Sequence, residues 1–140
     1  MKYTTRILML TLTLLPMLAA AQIQSDTRIV VKVPFDFVIG STIIPAGQLT
    51  VQRLTQVSDV LTMRNRDAKL NMFANSSRID TKEPSATTGL VFHKYGNRYF
   101  LWKVKVEGSQ TAYRLPESPA EAELRAQNLQ VTEEILLALK

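Results

Sequence analysis

LVFHKYGNRYFLWKVKV, residues 90–106, contains two runs of aromatic and β-branched residues separated by Gly96 and Asn97. A Gly-Asn pair between such runs is typical of a two-residue β-hairpin turn, whose backbone twist matches that of the flanking strands. The period of two in the second run predicts a core-facing side made of Phe100, Trp102, Val104 and Val106. The chain is therefore predicted to contain an antiparallel β-sheet.

Residues 29–39 show the same period of two. One side of this predicted strand carries Val31, Val33, Phe35, Phe37 and Ile39. Pro34 lies on the opposite side and has no N–H for a strand ladder, so the strand is predicted to lie at a sheet edge or to bulge there.

The pattern in the rest of residues 22–116 predicts further short strands joined by turns. A second hairpin is predicted at residues 57–75 and a last strand at residues 110–115. An exposed loop is predicted between them at residues 76–88. About eight short strands at this spacing are typical of a small antiparallel β-sandwich or barrel. The predicted fold class is therefore mainly β.

Residues 117–140 are predicted to form a C-terminal helical segment, either one interrupted helix or two short helices with a second cap at Thr132. Ser118 is a suitable N-cap, Pro119 suits the first helical position, and Glu121 completes a capping box. The apolar residues Leu124, Val131, Ile135 and Leu139 recur at helical spacings of seven, four and four. This candidate docking stripe is predicted to pack on the chain's own sheet or on another subunit.

Residues 1–21 have the composition of a signal peptide. A short basic start is followed by an apolar run and by Ala19, Ala20 and Ala21, which suit cleavage before Gln22. The alternative, an uncleaved anchor, is disfavoured because residues 7–21 are shorter than the ~20 residues of a spanning helix. The mature chain is therefore predicted to be periplasmic or extracellular, with no transmembrane helix after cleavage.

Composition and charge exclude some classes of function. The chain has no cysteine, which removes disulfides, thiolate metal sites and cysteine nucleophiles. Residues 28–106 carry 12 basic and 5 acidic side chains, which gives a net charge of +7. Residues 107–140 carry 3 basic and 6 acidic side chains, which gives a net charge of −3. The basic part is either an ordinary solvated surface or a surface that attracts an anionic glycan or envelope component. Export and the lack of an RNA-binding motif argue against a nucleic-acid partner.

Catalytic signals are weak. His93 is the only histidine, and no motif marks a serine nucleophile for it. Glycoside hydrolysis would need two carboxylates across a sugar ring, for which the candidates are Asp36, Asp59, Asp67 and Asp80. Roles in turns and on strand surfaces are favoured for these residues. No catalytic, cofactor-binding or metal-binding residue is predicted, and no cofactor.

The aromatic residues near the hairpin turn give a candidate ligand surface made of Tyr95, Arg98 and Tyr99. Aromatic side chains on a β surface can stack on sugar rings. Phe100 and Trp102 are instead predicted to pack in the core.

Three motifs together carry a resemblance to a known group of proteins. They are VPFDFVIG at residues 33–40 with IPAG at 44–47, LVFHKYGNRYFL at 90–101, and LPES at 115–118. The chain resembles a group of small secreted, uncharacterised acidobacterial proteins over roughly residues 29–125. The resemblance implies export and a β-rich body, and it implies no activity.

These observations predict an exported, non-catalytic envelope or extracellular binding module. The alternative is a structural or assembly protein whose C-terminal helix docks on a partner subunit, with self-association as one form of it. A hydrolase is the third hypothesis.

Overall fold

The computed structural model describes residues 27–140, so the predicted signal peptide at residues 1–21 lies outside the described residues. The strands are β1 (Ile29–Val33), β2 (Phe37–Ile39), β3 (Thr42–Ile44), β4 (Gly47–Arg53), β5 (Val60–Asn65), β6 (Leu70–Asn75), β7 (Ser77–Asp80), β8 (Gly89–Tyr95), β9 (Arg98–Lys105), β10 (Thr111–Arg114) and β11 (Thr132–Leu137). A short helix, α1 (Pro119–Ala126), precedes β11. Within residues 27–140, no helix combines the length and the apolar character needed to span a membrane.

The strands form two sheets, which confirms the predicted mainly β fold. The first sheet has the order β1-β4-β5-β6, and the second has the order β11-β8-β9-β10-β7. Both predicted hairpins are present, as β5–β6 and β8–β9. Pairing is antiparallel throughout these two orders, and β2 adds one parallel pair to β9.

A single core of apolar side chains fills the space between the sheets. Leu49 and Leu61 from the first sheet meet Leu90 and Phe92 from the second. Phe92 is fully buried, and its ring contacts Phe37 edge-on with the ring centroids 5.2 Å apart. The period-two pattern therefore identified the buried side of most strands correctly, because alternate residues of a strand face opposite sides of the sheet.

Residues 29–39 alternate between buried and exposed as predicted, but they form two strands rather than one. β1 ends at Val33, directly before Pro34, and the chain crosses to the second sheet, where it forms β2. β1 is the edge strand of the first sheet, which agrees with the edge position predicted from the proline.

The predicted loop at residues 76–88 contains a strand. β7 pairs with β10 at the edge of the second sheet, for example Ile79 with Ala112. The polar sequence of this strand lacks the apolar pattern that predicts a strand. Edge strands expose much of their surface and therefore need few apolar residues.

The helix in the structure, α1, is much shorter than the helical segment predicted for residues 117–140. α1 ends because Asn128 adopts a left-handed conformation with φ 57°. The N–H groups of Asn128 and Leu129 then donate to the carbonyls of Arg125 and Leu124, the two bonds of a Schellman motif.

The residues after α1 form β11 and not a second helix. β11 pairs with β8 along its whole length, from Thr132 opposite Lys94 to Leu137 opposite Gly89. A Cβ at Gly89 would collide with the backbone carbonyl of Leu136, so the glycine permits this close approach. The predicted helical stripe of Leu124, Val131, Ile135 and Leu139 is therefore wrong, because Leu124 lies in α1 whereas Ile135 lies in a strand that pairs with β8.

Candidate functional site

A bulge in β9 shapes the outer face of the second sheet, the face turned away from the core. Phe92 lies opposite Leu101 and Val91 lies opposite Lys103, so Trp102 is an extra residue in β9. A bulge of this kind places two successive side chains on the same side of a sheet. Accordingly, the Lys103 ammonium lies 4.3 Å from the centroid of the Trp102 ring.

Because of the bulge, the prediction that one face of the strand carries Phe100, Trp102, Val104 and Val106 is wrong. Phe100 is buried, as predicted, but its partner in the ladder is His93, so it lies on the outer face. Val104 belongs to the core between the sheets. Trp102 is only half-buried, and its ring stacks on His93 with the centroids 4.3 Å apart.

Helix α1 brings a carboxylate onto the same outer face. The Ser118 hydroxyl caps the helix by accepting from the Glu121 N–H at 3.1 Å, which confirms the predicted helix start. The Glu121 side chain does not complete a capping box. It is 4% exposed, and its Oε1 lies 2.5 Å from His93 Nδ1 and 3.2 Å from the Tyr95 hydroxyl.

Glu121, His93 and Tyr95 thus form a buried polar cluster. The carboxylate accepts from the ring N–H and from the phenol, so each of these polar groups has a partner. Burial of Tyr95 and the neighbouring Glu121 charge both raise the pKa of the phenol, because both disfavour the phenolate. The cluster attaches α1 to β8 and holds the His93 ring against Trp102.

The raised pKa of Tyr95 gives a testable prediction. Above pH ~10, the unfolded chain loses this proton while the folded chain keeps it, so stability falls as the pH rises through this window. In Glu121→Gln the carboxylate charge is absent, so the pKa of Tyr95 is expected to fall towards its ordinary value. Absorbance at 295 nm during alkaline titration measures the shift, with the distant Glu107→Gln as control. Identical titrations of the wild type and Glu121→Gln would contradict the assignment.

A cleft of about 420 Å³ opens beside this cluster. Its walls are formed by His93, Tyr95, Trp102, Arg114, Leu115, Pro116, Glu117, Glu121, Arg125 and Val131. The Arg125 guanidinium donates to Glu117 at 2.9 Å. Arg114, at the end of β10, is exposed and makes no ion pair within residues 27–140. The cleft therefore combines an indole, a histidine, two arginines and two glutamates at one place, and of the two arginines Arg114 is the one without an acidic partner in residues 27–140.

A second cavity, of about 200 Å³, lies at the open end of the core. Its floor consists of the core residues Ile29, Val51, Leu61 and Val104. It lacks histidine and carboxylate side chains among its lining residues. The cleft beside Glu121 is the better candidate site, because ligand sites combine apolar surface with a few convergent polar groups.

The structure separates the residues of the predicted ligand surface. Tyr95 is buried and bonded to Glu121, whereas Tyr99 points to the opposite face of the sheet and stacks on Phe35 with the centroids 3.6 Å apart. Arg98 lies with Tyr95 on the outer face, with its guanidinium 5.4 Å from the Phe100 centroid. These three residues do not form one surface.

The arrangement of a serine protease or esterase is not formed around His93. Its hydrogen bond within residues 27–140 goes to Glu121, and the Ser118 hydroxyl is engaged in capping α1. Two of the candidate aspartates act in turns: Asp36 accepts from the Ala46 N–H and Asp67 from the Gln48 N–H.

Asp59 forms an ion pair with Arg78 at 2.7 Å. No group of three or more histidine and acidic side chains with metal-binding geometry occurs in the described part of the chain.

Sequence reasoning missed the two residues that organise the cleft. The sequence predicts Glu121 in the helix cap and Trp102 in the core. The spacing of Ser118 and Glu121 marks the start of α1 but does not indicate that the carboxylate turns towards the sheet. The bulge that turns Trp102 outward has no such local signal, since it depends on pairing with β8.

Fold and cleft together define a two-sheet β protein that carries a polar, helix-covered site on the outer face of its larger sheet. Comparisons with models of protein families, with curated proteins and with solved structures found no match.

Proposed function

We propose that this chain is an exported, non-catalytic binding module, and that its ligand is an anionic glycan bound in the cleft beside Glu121. The observation that carries the proposal is the convergence of the half-buried Trp102 ring with Arg114 and Arg125 on the walls of one cleft. Export rests on the signal-peptide pattern of residues 1–21.

The side chains of the cleft match the two chemical parts of an acidic sugar. An indole offers a flat apolar face with negative potential, which suits the C–H groups on one face of a sugar ring. One face of Trp102 is stacked on His93 and the Lys103 ammonium lies over the ring, so the Lys103 side chain moves aside when a sugar stacks there. A guanidinium binds a carboxylate through two parallel hydrogen bonds. Arg114 has no carboxylate partner within residues 27–140, so it is available for this role.

The polar cluster prepares the cleft for binding. Trp102 stacks on His93, and His93 is held by the nearly inaccessible Glu121. Side chains that are fixed before binding lose less conformational entropy when the ligand arrives. The net charge of +7 over residues 28–106 would also attract a polyanion over a longer range.

Binding to defined polysaccharides tests the proposal. The purified exported chain is expected to bind polygalacturonate and to bind neutral galactan much more weakly, with an affinity that falls as salt rises. Trp102→Ala is expected to weaken binding of polygalacturonate by roughly tenfold or more, since it removes the stacking surface. Arg114→Gln is expected to reduce the preference for the acidic polymer over the neutral one. Isothermal titration calorimetry measures all of these affinities.

Two matched variants separate the cleft from general surface effects. Phe73→Ala removes an exposed aromatic ring on the first sheet, and Arg64→Gln removes an exposed guanidinium there. Neither is expected to change binding. Equal binding by the wild type and Trp102→Ala, or no binding of either polymer, would refute the proposal.

A further inference from the structure

Among residues 27–140, no strand pairs with the outer edge of β11. β11 lies at one end of the second sheet, part of it lies close to β1 of the first sheet, and the Leu139 N–H of its continuation donates to the Val30 carbonyl at 2.7 Å. The Ala138 N–H points the other way, to Thr88 next to β8. Because backbone groups alternate in direction along a strand, those of Glu133, Ile135 and Leu137 point to the open edge.

This edge lacks several of the features that usually prevent strand pairing, and its only charges are those of Glu133 and Glu134. Residues 132–137 contain no proline, no lysine and no bulge. Ile135 is 49% exposed and Leu137 is 57% exposed. Three further exposed apolar residues flank the strand, namely Leu129, Val131 and Leu139. An exposed apolar edge strand is a template for pairing with another strand.

We propose that the partner is a second copy of this chain, which adds its own β11 antiparallel to the first about a two-fold axis at Ile135. In this register Ile135 lies opposite its counterpart, and Glu133 and Glu134 lie opposite Leu137 and Leu136. Six residues of strand span about 20 Å, enough for a short two-fold ladder. On the outer face, Ile135 of one copy then packs against Ile135 of the other, and each Leu137 lies opposite a Glu133.

The charges of β11 select this register over its neighbours. A shift in one direction centres the pairing on Glu134, and a further shift centres it on Glu133, so that like charges face each other. A shift in the other direction centres the pairing on Leu136 and shortens the ladder, because Glu133 would then need the Leu139 N–H, which already donates to Val30. Pairing about Ile135 is therefore the self-complementary arrangement.

Sedimentation and light scattering over a range of concentrations test the proposal on the purified exported chain. The wild type is expected to be a dimer at high concentration. Ile135→Lys and Ile135→Glu are each expected to raise the dimer dissociation constant by about an order of magnitude, because position 135 faces itself and like charges then oppose. A mixture of the two variants is expected to restore the dimer, since lysine then faces glutamate.

Phe73→Lys is the matched control, because Phe73 is exposed on β6, the edge strand of the first sheet. It is expected to leave the dimer intact. Circular dichroism confirms that each variant is folded, which is expected because residue 135 lies at the surface. A wild type that stays monomeric at all concentrations, or a charge mixture that stays monomeric, would overturn the proposal. Pairing of this edge with a different exported protein, without self-association, would overturn it as well.

Discussion

Glu121→Ala is expected to lower the free energy of unfolding by about 2–4 kcal/mol, because it removes the shared acceptor of a buried polar cluster. The Glu121 carboxylate accepts from His93 Nδ1 at 2.5 Å and from the Tyr95 hydroxyl at 3.2 Å. Without it, the buried Tyr95 hydroxyl loses its partner. A loss of this size is a large part of the 5–15 kcal/mol that stabilises a typical domain. Urea unfolding followed by circular dichroism measures it.

Two further variants assign the effect to the buried contacts. Glu121→Gln keeps an acceptor oxygen for His93 and Tyr95, so its loss of stability is expected to be about 1 kcal/mol. Glu117→Ala removes the exposed ion pair with Arg125, and it is expected to cost less than about 1 kcal/mol. If Glu121→Ala were as stable as Glu117→Ala, the cluster would not attach α1 to the sheet.

The same variant links the stability of the fold to the function proposed for the cleft. Glu121→Ala frees His93 and loosens α1, and both contribute walls of the cleft. Binding of polygalacturonate is therefore expected to weaken in Glu121→Ala, whereas Glu117→Ala, which frees Arg125 in the cleft, is expected to bind at least as well as the wild type. This ordering separates preorganisation of the site from simple loss of one negative charge, which both variants share.

Phe92→Ala is expected to lower the free energy of unfolding by about 3–5 kcal/mol. Phe92 is fully buried between the sheets, and its ring packs edge-on against Phe35 and Phe37, with centroids 5.1 and 5.2 Å away. Truncation removes apolar burial and leaves a cavity that these two rings fill only in part. Guanidinium unfolding measures the change in free energy.

Phe73→Ala is the control for Phe92→Ala, because it deletes the same atoms from a side chain that is 66% exposed. Its effect is expected to be within about 0.5 kcal/mol of zero. Equal stability of the two variants would show that the core between the sheets does not hold the fold together.

Local patterns predicted most of the fold correctly. The Gly96-Asn97 turn and the alternation in residues 29–39 depend on backbone twist and on the two faces of a strand, which neighbouring residues express directly. The start of α1 at Ser118 was equally readable, because a cap uses groups only three residues apart. β7 was missed because its stabilising partner, β10, is about 30 residues away.

Much less of the candidate site could be predicted. Of the three residues of the candidate ligand surface predicted from the sequence, only Tyr95 lines the cleft, where it is buried next to Glu121. Val131 lines the cleft, whereas the sequence predicts it as part of a helical stripe. Each of these placements depends on how distant segments meet and not on local spacing.

The sequence by itself determined the mainly β fold class, the apolar side of most strands, and the capped start of the helix. Tertiary structure alone decided that residues 132–137 pair with β8, that a bulge turns Trp102 outward, and that Glu121 reaches His93. The physical reason is that local periodicity shows which side of an element is apolar, whereas register and bulges are set by the strand that pairs with it.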